Sequence, residues 1–439
     1  MAHHIAAQYG LLQRRYREMV SSAPEAPVFL KILMLLFSPE EAELARQIPS
    51  SPTRLDTLAA RVRLPARELE RRLEELAHRG LMFDLLLDGE RYFALPPVVL
   101  GFYEMVFMRL RPELPQAELA RLFEEFMIGT AEFPTVAFEG TTQFGRAMVR
   151  EETIAGADHA EILDWERASL VVREASSIAV GICPCRHRKS HLGLACANPQ
   201  RACLSLGYAA DSLVRAGLAE RLEPGEAMDI LEDCKQRGLV QIADNVQRRM
   251  TFLCNCCGCC CSMLEAMRKY DIRTAVVSSN WIVELDPGRC AGRGDCVIAC
   301  PTKAFELASA APGEASVKRA VLTEDLCIGC GVCISGCTEG ALRMRPRAGR
   351  VFYPETVYEK MAARAIERGK LAELMFDDPG SLTHRALACL VKVLERSTPF
   401  RSAMAIESLK SVFLKAVAQG GRRKNGNLAA VFDDRHPGR

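Results

Sequence analysis

Apolar residues recur at helical spacing through the first third of the chain. Residues 1–24 read as a helix with Leu11, Leu12 and Tyr16 along one side. A second helix runs through Leu30, Leu33 and Leu36. Thr53 stands where an N-cap would, so a short helix is expected from Thr53 to Arg61. After a turn at Val62 to Leu64, Pro65 opens a helix reaching His78, and Gly80 ends it. Leu81 to Leu87, the Asp88-Gly89 pair and Glu90 to Leu95 then read as a hairpin. Further helices are predicted near Gln116 to Met127, from Trp165 to Val180, and from Gly225 to Arg237, stopped by Gly238. Residues 355–369, 382–396 and 402–418 are amphipathic helices by the same periodicity, and the polar, Gly-containing tail 420–439 reads as disordered.

Helices at an angle followed by a hairpin resemble a winged helix-turn-helix over about residues 28–97. In that reading Arg67, Arg71 and Arg72 on the second helix would face DNA. Glu68, Glu70, Glu74 and Glu75 share the helix and would face phosphate unfavourably, so DNA binding is the weaker expectation.

Composition narrows the field. The 439 residues are 49% apolar and 26% charged, with a formal net charge of +2 that gives no whole-chain case for nucleic acid or a membrane surface. No charged segment followed by an apolar run opens the sequence, and the longest apolar stretch, Phe29 to Phe37, is too short to span a bilayer. A cytoplasmic location is expected, and there nineteen cysteines argue for metal rather than for disulfides. Seventeen sit in tight groups. Cys234 and Cys389 stand alone within helical patterns and read as small buried hydrophobes.

Two of the groups lie near residue 300. Cys327, Cys330, Cys333 and Cys337 form a complete C-x2-C-x2-C-x3-C run, the spacing by which bacterial two-cluster ferredoxins hold iron–sulfur clusters. Cys290, Cys296 and Cys300, followed by Pro301, form a second run with Arg293 where a cysteine is due. Crossed ligation assigns Cys300, Cys327, Cys330 and Cys333 to one site, and Cys290, Cys296 and Cys337 to the other. Zinc competes for the complete site, but zinc sets usually read as two separated C-x2-C pairs. A guanidinium has no lone pair for iron. The second site therefore implies a three-iron cluster, or a four-iron cluster completed by water, Asp295 or a remote thiolate. The fourth cysteine of each run is expected to open a short helix.

The middle of the chain carries ten more clustered thiols: Cys183, Cys185, Cys196 and Cys203, then Cys254, Cys256, Cys257, Cys259, Cys260 and Cys261. Six in eight residues has no packing explanation. An extended run alternates faces, so this one would serve two sides, one completing a cluster begun by the first four. Ten thiols suffice for one or two further clusters. His187 and His191 are candidate ligands or outer partners, and Arg186, Arg188 and Lys189 would offset thiolate charge.

The order Cys183-Pro-Cys185-Arg, Cys196, Cys203, the Cys254-to-Cys261 run and a dicluster ferredoxin unit resembles a family of anaerobe "4Fe-4S binding proteins", over about residues 28–347. Arg293 and Thr338 depart from the usual ferredoxin pattern. The resemblance implies electron transfer in anaerobic metabolism and names no partner.

The fold class expected is α+β, with an N-terminal helix (1–27), a winged-helix-like domain (28–97), a helical cysteine-rich region (98–280), a ferredoxin-like dicluster domain (281–347), a helical C-terminal segment (348–419) and the tail (420–439). The leading function is a relay of single electrons between redox partner proteins. The alternatives are a reductase subunit using the incompletely ligated iron, and a redox-sensing regulator that binds DNA. No G-x-G-x-x-G follows a strand, so neither flavin nor nicotinamide has a signature.

Overall fold

The computed structural model describes residues 2–309, 318–377, 382–404 and 413. It mixes helix and sheet, as an α+β chain should. Helices α1 (Ala2–Glu18), α2 (Pro27–Leu36) and α3 (Pro39–Ala45) open the chain. Ser38 and Glu41 cap α3 reciprocally, the Ser38 Oγ accepting from Glu41 N at 3.2 Å and Glu41 accepting from Ser38 N at 2.8 Å. Thr53 does not cap a helix. Thr53 and Arg54 form β1, and α4 (Leu55–Val62) starts after them, because the edge of the following hairpin offers this β-branched residue a backbone partner in Phe93. Helix α5 (Ala66–His78) buries Leu69, Leu73, Leu76 and Ala77, and Gly80 leaves it at φ +75°. Strands β2 (Phe83–Leu87) and β3 (Glu90–Ala94) are joined by Asp88 and Gly89, both at positive φ, and the sheet order is β1-β3-β2.

Helices α6 (Tyr103–Phe107), α7 (Gln116–Ile128) and α8 (Glu132–Phe138) lead into β4 (Gly145–Ala147). From here the expectation of a helical middle is corrected. The region holds the largest sheet of the molecule, six antiparallel strands in the order β4-β8-β9-β6-β5-β7. Its members are β5 (Ile178–Ile182), β6 (Arg201–Leu206), β7 (Glu220–Leu222), β8 (Val240–Asp244) and β9 (Phe252–Cys256). The helix expected to reach Val180 is only α9 (Ala168–Glu174). Ile178-Ala-Val-Gly-Ile182 is apolar throughout, a pattern that buried helix and buried strand share, and pairing on both sides makes it a strand. Helices α10 (Pro184–His191), α11 (Gly207–Arg215), α12 (Pro224–Gln236) and α13 (Ser262–Tyr270) connect and cover the sheet.

The next segment repeats itself. Strand β10 (Trp281–Leu285), helix α14 (Asp295–Ala299) and strand β11 (Phe305–Ser309) recur as β12 (Lys318–Leu322), α15 (Val332–Ser335) and β13 (Leu342–Pro346). The step from Cys290 to Cys327, 37 positions, carries every strand of the first unit onto its mate in the second. The repeats interlock: β10 pairs with β13 and β11 with β12. Each short helix lies before the fourth cysteine of its run rather than after it, with Cys300 at the end of α14 and Cys337 beyond α15. Gly292 and Gly329, equivalent in the repeat, have φ of +72° and +69°. A Cβ on Gly292 would strike the Lys318 carbonyl of β12, and one on Gly329 the Trp281 carbonyl of β10. Each cysteine loop is pressed onto the other repeat's first strand, where only glycine fits.

Helices α16 (Val357–Glu367), α17 (Leu371–Met375), α18 (Leu382–Arg396) and α19 (Thr398–Met404) follow. Lys360 of α16 reaches back to pair with buried Asp244 of β8, and Arg364 donates to Thr142 O at 2.8 Å. The helix expected over 402–418 is described only at 402–404 and 413, and the expected tail lies outside the described residues. Cys389 is exposed on α18, not buried, beside exposed Leu390 and Val393. The apolar periodicity there reports a face that no described residue covers.

Candidate metal centre

The ten middle thiols divide into two groups, by a rule the sequence did not suggest. The run from Cys254 is extended only as far as Cys256, where β9 ends, and then turns before α13. Strand and turn therefore separate the thiols, rather than alternation along one strand.

The turn supplies Cys257, Cys259 and Cys260, and the loop after α10 supplies Cys196. Their four Sγ atoms all lie within 4.8 Å of one another. Cys196 is 3.6 Å from Cys257 and 3.9 Å from Cys260, and Cys259 is 3.7 Å from Cys260. Asn198 Nδ2 donates to Cys196 Sγ at 3.4 Å. Hydrogen bonding from Cys260 pulls the Cys257 thiol down to about 4 against its burial, and the Arg186 guanidinium helps. Burial pushes Cys259 up to about 11. Cys234 packs against Cys257 and Cys260 and is 1% exposed, the small buried hydrophobe expected.

The second group is Cys183, Cys185, Cys203, Cys254, Cys256 and Cys261. Cys203 and Cys254 face each other across the β6–β9 ladder, and Cys256 follows on the same face of β9. Cys254 is raised chiefly by its bond to Cys203, and Cys256 by its bond to Cys254. Cys261 lies beside Cys185 and Cys256, which brings the strand thiols to α10. Burial pushes Cys183, at the start of α10, up to about 12. The four thiols read as opening one cluster are thus split: Cys196 joins the turn, and Cys183, Cys185 and Cys203 join the strand.

Arg186 lies between the groups, fully buried. It donates to Pro199 O at 2.5 Å and to Asn255 O, and it sits beside Cys183, Cys256 and Cys257. Arg188 is paired with Glu124 at 3.2 Å and faces Cys185, and Lys189 pairs with Glu124 and Glu265. His187 and His191 join neither group. The Nδ1 of His187 is 2.8 Å from Phe107 O and its Nε2 is 3.2 Å from His191 Nε2, so both nitrogens of His187 are engaged elsewhere.

In the repeated unit Cys330 is pushed up to about 12 by burial, then by Cys300 and Cys327. Cys333 is raised by burial, then by Cys330, Cys300 and Cys327. Cys296 is raised by burial, then by Cys290, and Cys337 adds to it. Backbone N–H groups point at two of these sulfurs, Ala304 N at Cys300 (3.2 Å) and Ala320 N at Cys290 (3.4 Å). Arg293 is exposed and bonds Thr338 Oγ1 at 3.0 Å, Asp295 at 3.2 Å and Glu339 at 3.5 Å. Asp295 is thereby held by a cation at the surface.

One contact joins the middle of the chain to the repeat. Gly258, inside the thiol turn, packs on Pro301, where a Cβ would come within 2.9 Å of the carbonyl oxygen. That carbonyl directly follows Cys300. The 37-residue step, which matches Arg293 to Cys330 as the spacing already did, was the sequence signal that would also have paired Gly292 with Gly329.

On the helix read as DNA-facing, Arg71 pairs with Glu75 at 2.6 Å and Arg72 with Glu68 at 2.5 Å, while Arg67 is exposed. Among the described residues no helix is long and apolar enough to cross a membrane. Comparison with known protein families, curated proteins and solved structures finds no match to this chain, so the resemblance to anaerobe iron–sulfur proteins rests on its cysteine motifs. What the chain holds is a cysteine-rich protein with a four-thiol group able to bind metal.

Proposed function

We propose that this chain is a multi-cluster iron–sulfur protein that relays single electrons between redox partners in anaerobic metabolism. The carrying observation is the sorting of the seven thiols in the repeat. Cys300 and Cys327 act on both Cys330 and Cys333, and Cys290 acts on Cys296 with Cys337 adding, a weaker influence of Cys296 on Cys333 linking the two sets; this supports crossed ligation. The donor set fits a four-iron cluster at the first site and a three-thiolate cluster at the second. The contiguous group of Cys183, Cys185, Cys203, Cys254, Cys256 and Cys261 has thiolates enough for one more.

Bound clusters supply reversible one-electron oxidation and reduction. The chain's own residues set the surroundings. Ala304 N and Ala320 N aim dipoles at Cys300 and Cys290, and buried Arg186 and Arg188 bring positive charge to the middle thiols. Both make the more negative, reduced state less costly to bury, and so both raise a reduction potential. The Gly258–Pro301 contact sets the middle thiols against the repeat, as a relay needs. The regulator reading has less support, because two of its three arginines are already ion-paired along their own helix.

Iron and acid-labile sulfide per chain, measured on anaerobically purified protein with EPR of oxidised and reduced forms, test this. About eleven or twelve irons are expected, in three clusters. Fewer than about one iron per chain after anaerobic expression with iron and sulfide supplied would end the proposal.

A further inference from the structure

The four-thiol group of the turn has a geometry of its own. A cubane carries four irons inside its ligand shell and holds its thiolate sulfurs roughly 6 Å apart. A single tetrahedral ion with bonds of about 2.3 Å holds four sulfurs about 3.8 Å apart. The observed separations are 3.6, 3.7 and 3.9 Å, with no pair beyond 4.8 Å. We propose that Cys196, Cys257, Cys259 and Cys260 hold one zinc ion, a structural site separate from the iron–sulfur clusters. This goes beyond the electron-relay reading and stands independently of the clusters in the repeat.

The surroundings suit such a site. Three thiolates come from one tight turn and the fourth from a loop 61 residues earlier, so the ion ties the loop after α10 to the start of α13. Zinc has no redox chemistry and no preference beyond the tetrahedron, which makes it a staple rather than a carrier. Four thiolates around a divalent ion leave a net charge of −2. The buried Arg186 guanidinium beside Cys257, and the Asn198 amide on Cys196, face that charge. Cys257 and Cys260 are buried and Cys196 is half-buried, leaving Cys259 as the exposed edge where an ion enters. The staple also fixes Gly258 in its contact with Pro301, so the ion would hold the middle of the chain against the repeat.

The test is metal analysis with zinc-edge X-ray absorption on the anaerobically purified full chain. About one zinc per chain is expected, with four sulfur neighbours at about 2.3 Å. Cys196→Ser and Cys259→Ser should each lower zinc by more than about fivefold on dialysis against a chelator, while iron content and EPR stay as in the parent. Cys256→Ser should do the reverse, losing iron and keeping zinc. Absence of zinc together with a loss of about four irons in Cys196→Ser would overturn the inference and leave the relay intact. A single tetrathiolate iron, or a Cys196–Cys257 disulfide found by mass spectrometry, would overturn it equally. Zinc present with no iron anywhere would instead uphold the inference and sink the relay. The absorption measurement needs no variant, so a misfolded substitution does not decide the matter.

Discussion

The Sγ atoms of Cys196 and Cys260 lie 3.9 Å apart although 64 residues separate them in the chain. The intervening residues include α11, α12 and most of the six-stranded sheet, so the pair forms only when that sheet is assembled. The gathering of these thiols therefore depends on folding, and an ion bound there as proposed would couple folding to metal.

Arg293 occupies the place that Cys330 fills in the other repeat. Arg293→Cys should supply the missing thiolate and add about one iron per chain, and an oxidised three-iron EPR signal should vanish. The lost contacts to Thr338, Asp295 and Glu339 are all at the surface and should cost less than about 1 kcal/mol. An unchanged iron count and an unchanged spectrum would show that position 293 does not face the cluster.

Gly329→Ala combines a left-handed backbone with a collision against the Trp281 carbonyl, and should destabilise by about 3 kcal/mol. Gly89→Ala has a similar φ, +80°, with open space around the added carbon, and should cost about 1 kcal/mol. Thermal unfolding followed by circular dichroism compares them. Equal shifts would mean the close approach of the two repeats contributes nothing.

Arg186→Leu strips the charge facing Cys257 and leaves the carbonyls of Pro199 and Asn255 without their buried donor. The loss should be about 3–5 kcal/mol, with reduced metal content in the middle region. Arg186→Lys keeps a charge but cannot fork to two carbonyls, so it should fall between parent and Arg186→Leu. Urea unfolding with metal analysis of each variant checks the order. A lysine variant as weak as the leucine one would assign the whole effect to hydrogen bonding.

Glu104 accepts from Gly101 N at 3.0 Å, and burial pushes its carboxyl up to about 7. Below about pH 4.5 folded and unfolded chains both carry this proton. Between there and about pH 7 only the folded chain does, so this residue's contribution to stability declines as pH rises through that window and is constant above it. Glu104→Gln should flatten the decline while keeping the acceptor for Gly101 N. Unfolding midpoints from pH 4 to pH 8 that fall equally in parent and variant would place the titration elsewhere.

Local pattern made much of this molecule legible. Leu69, Leu73 and Leu76 mark the buried face of α5, Asp88-Gly89 marks its hairpin, and Gly238 ends α12. Spacing also picked out Cys196, Cys257, Cys259 and Cys260 as thiols for metal, and Cys234 as one that packs. Apolar periodicity was weaker evidence where burial is complete on all sides or absent. Ile178–Ile182 took its identity from strands β6 and β7, and Cys389 from the absence of cover over α18 among the described residues.

By itself the sequence determined which residues are chemically able to bind metal, since six thiols in eight residues and the crossed runs have no use in packing. Only the tertiary structure decided how they are grouped. Cys196 left its neighbours Cys185 and Cys203 because β9 stops at Cys256 and the chain turns, and a turn can gather three sulfurs that a strand would send to opposite faces. The fit of Gly329 under Trp281 was likewise set by the interlocking of two repeats. Ligand type is a local property of a residue, whereas sulfur–sulfur distance belongs to the whole fold.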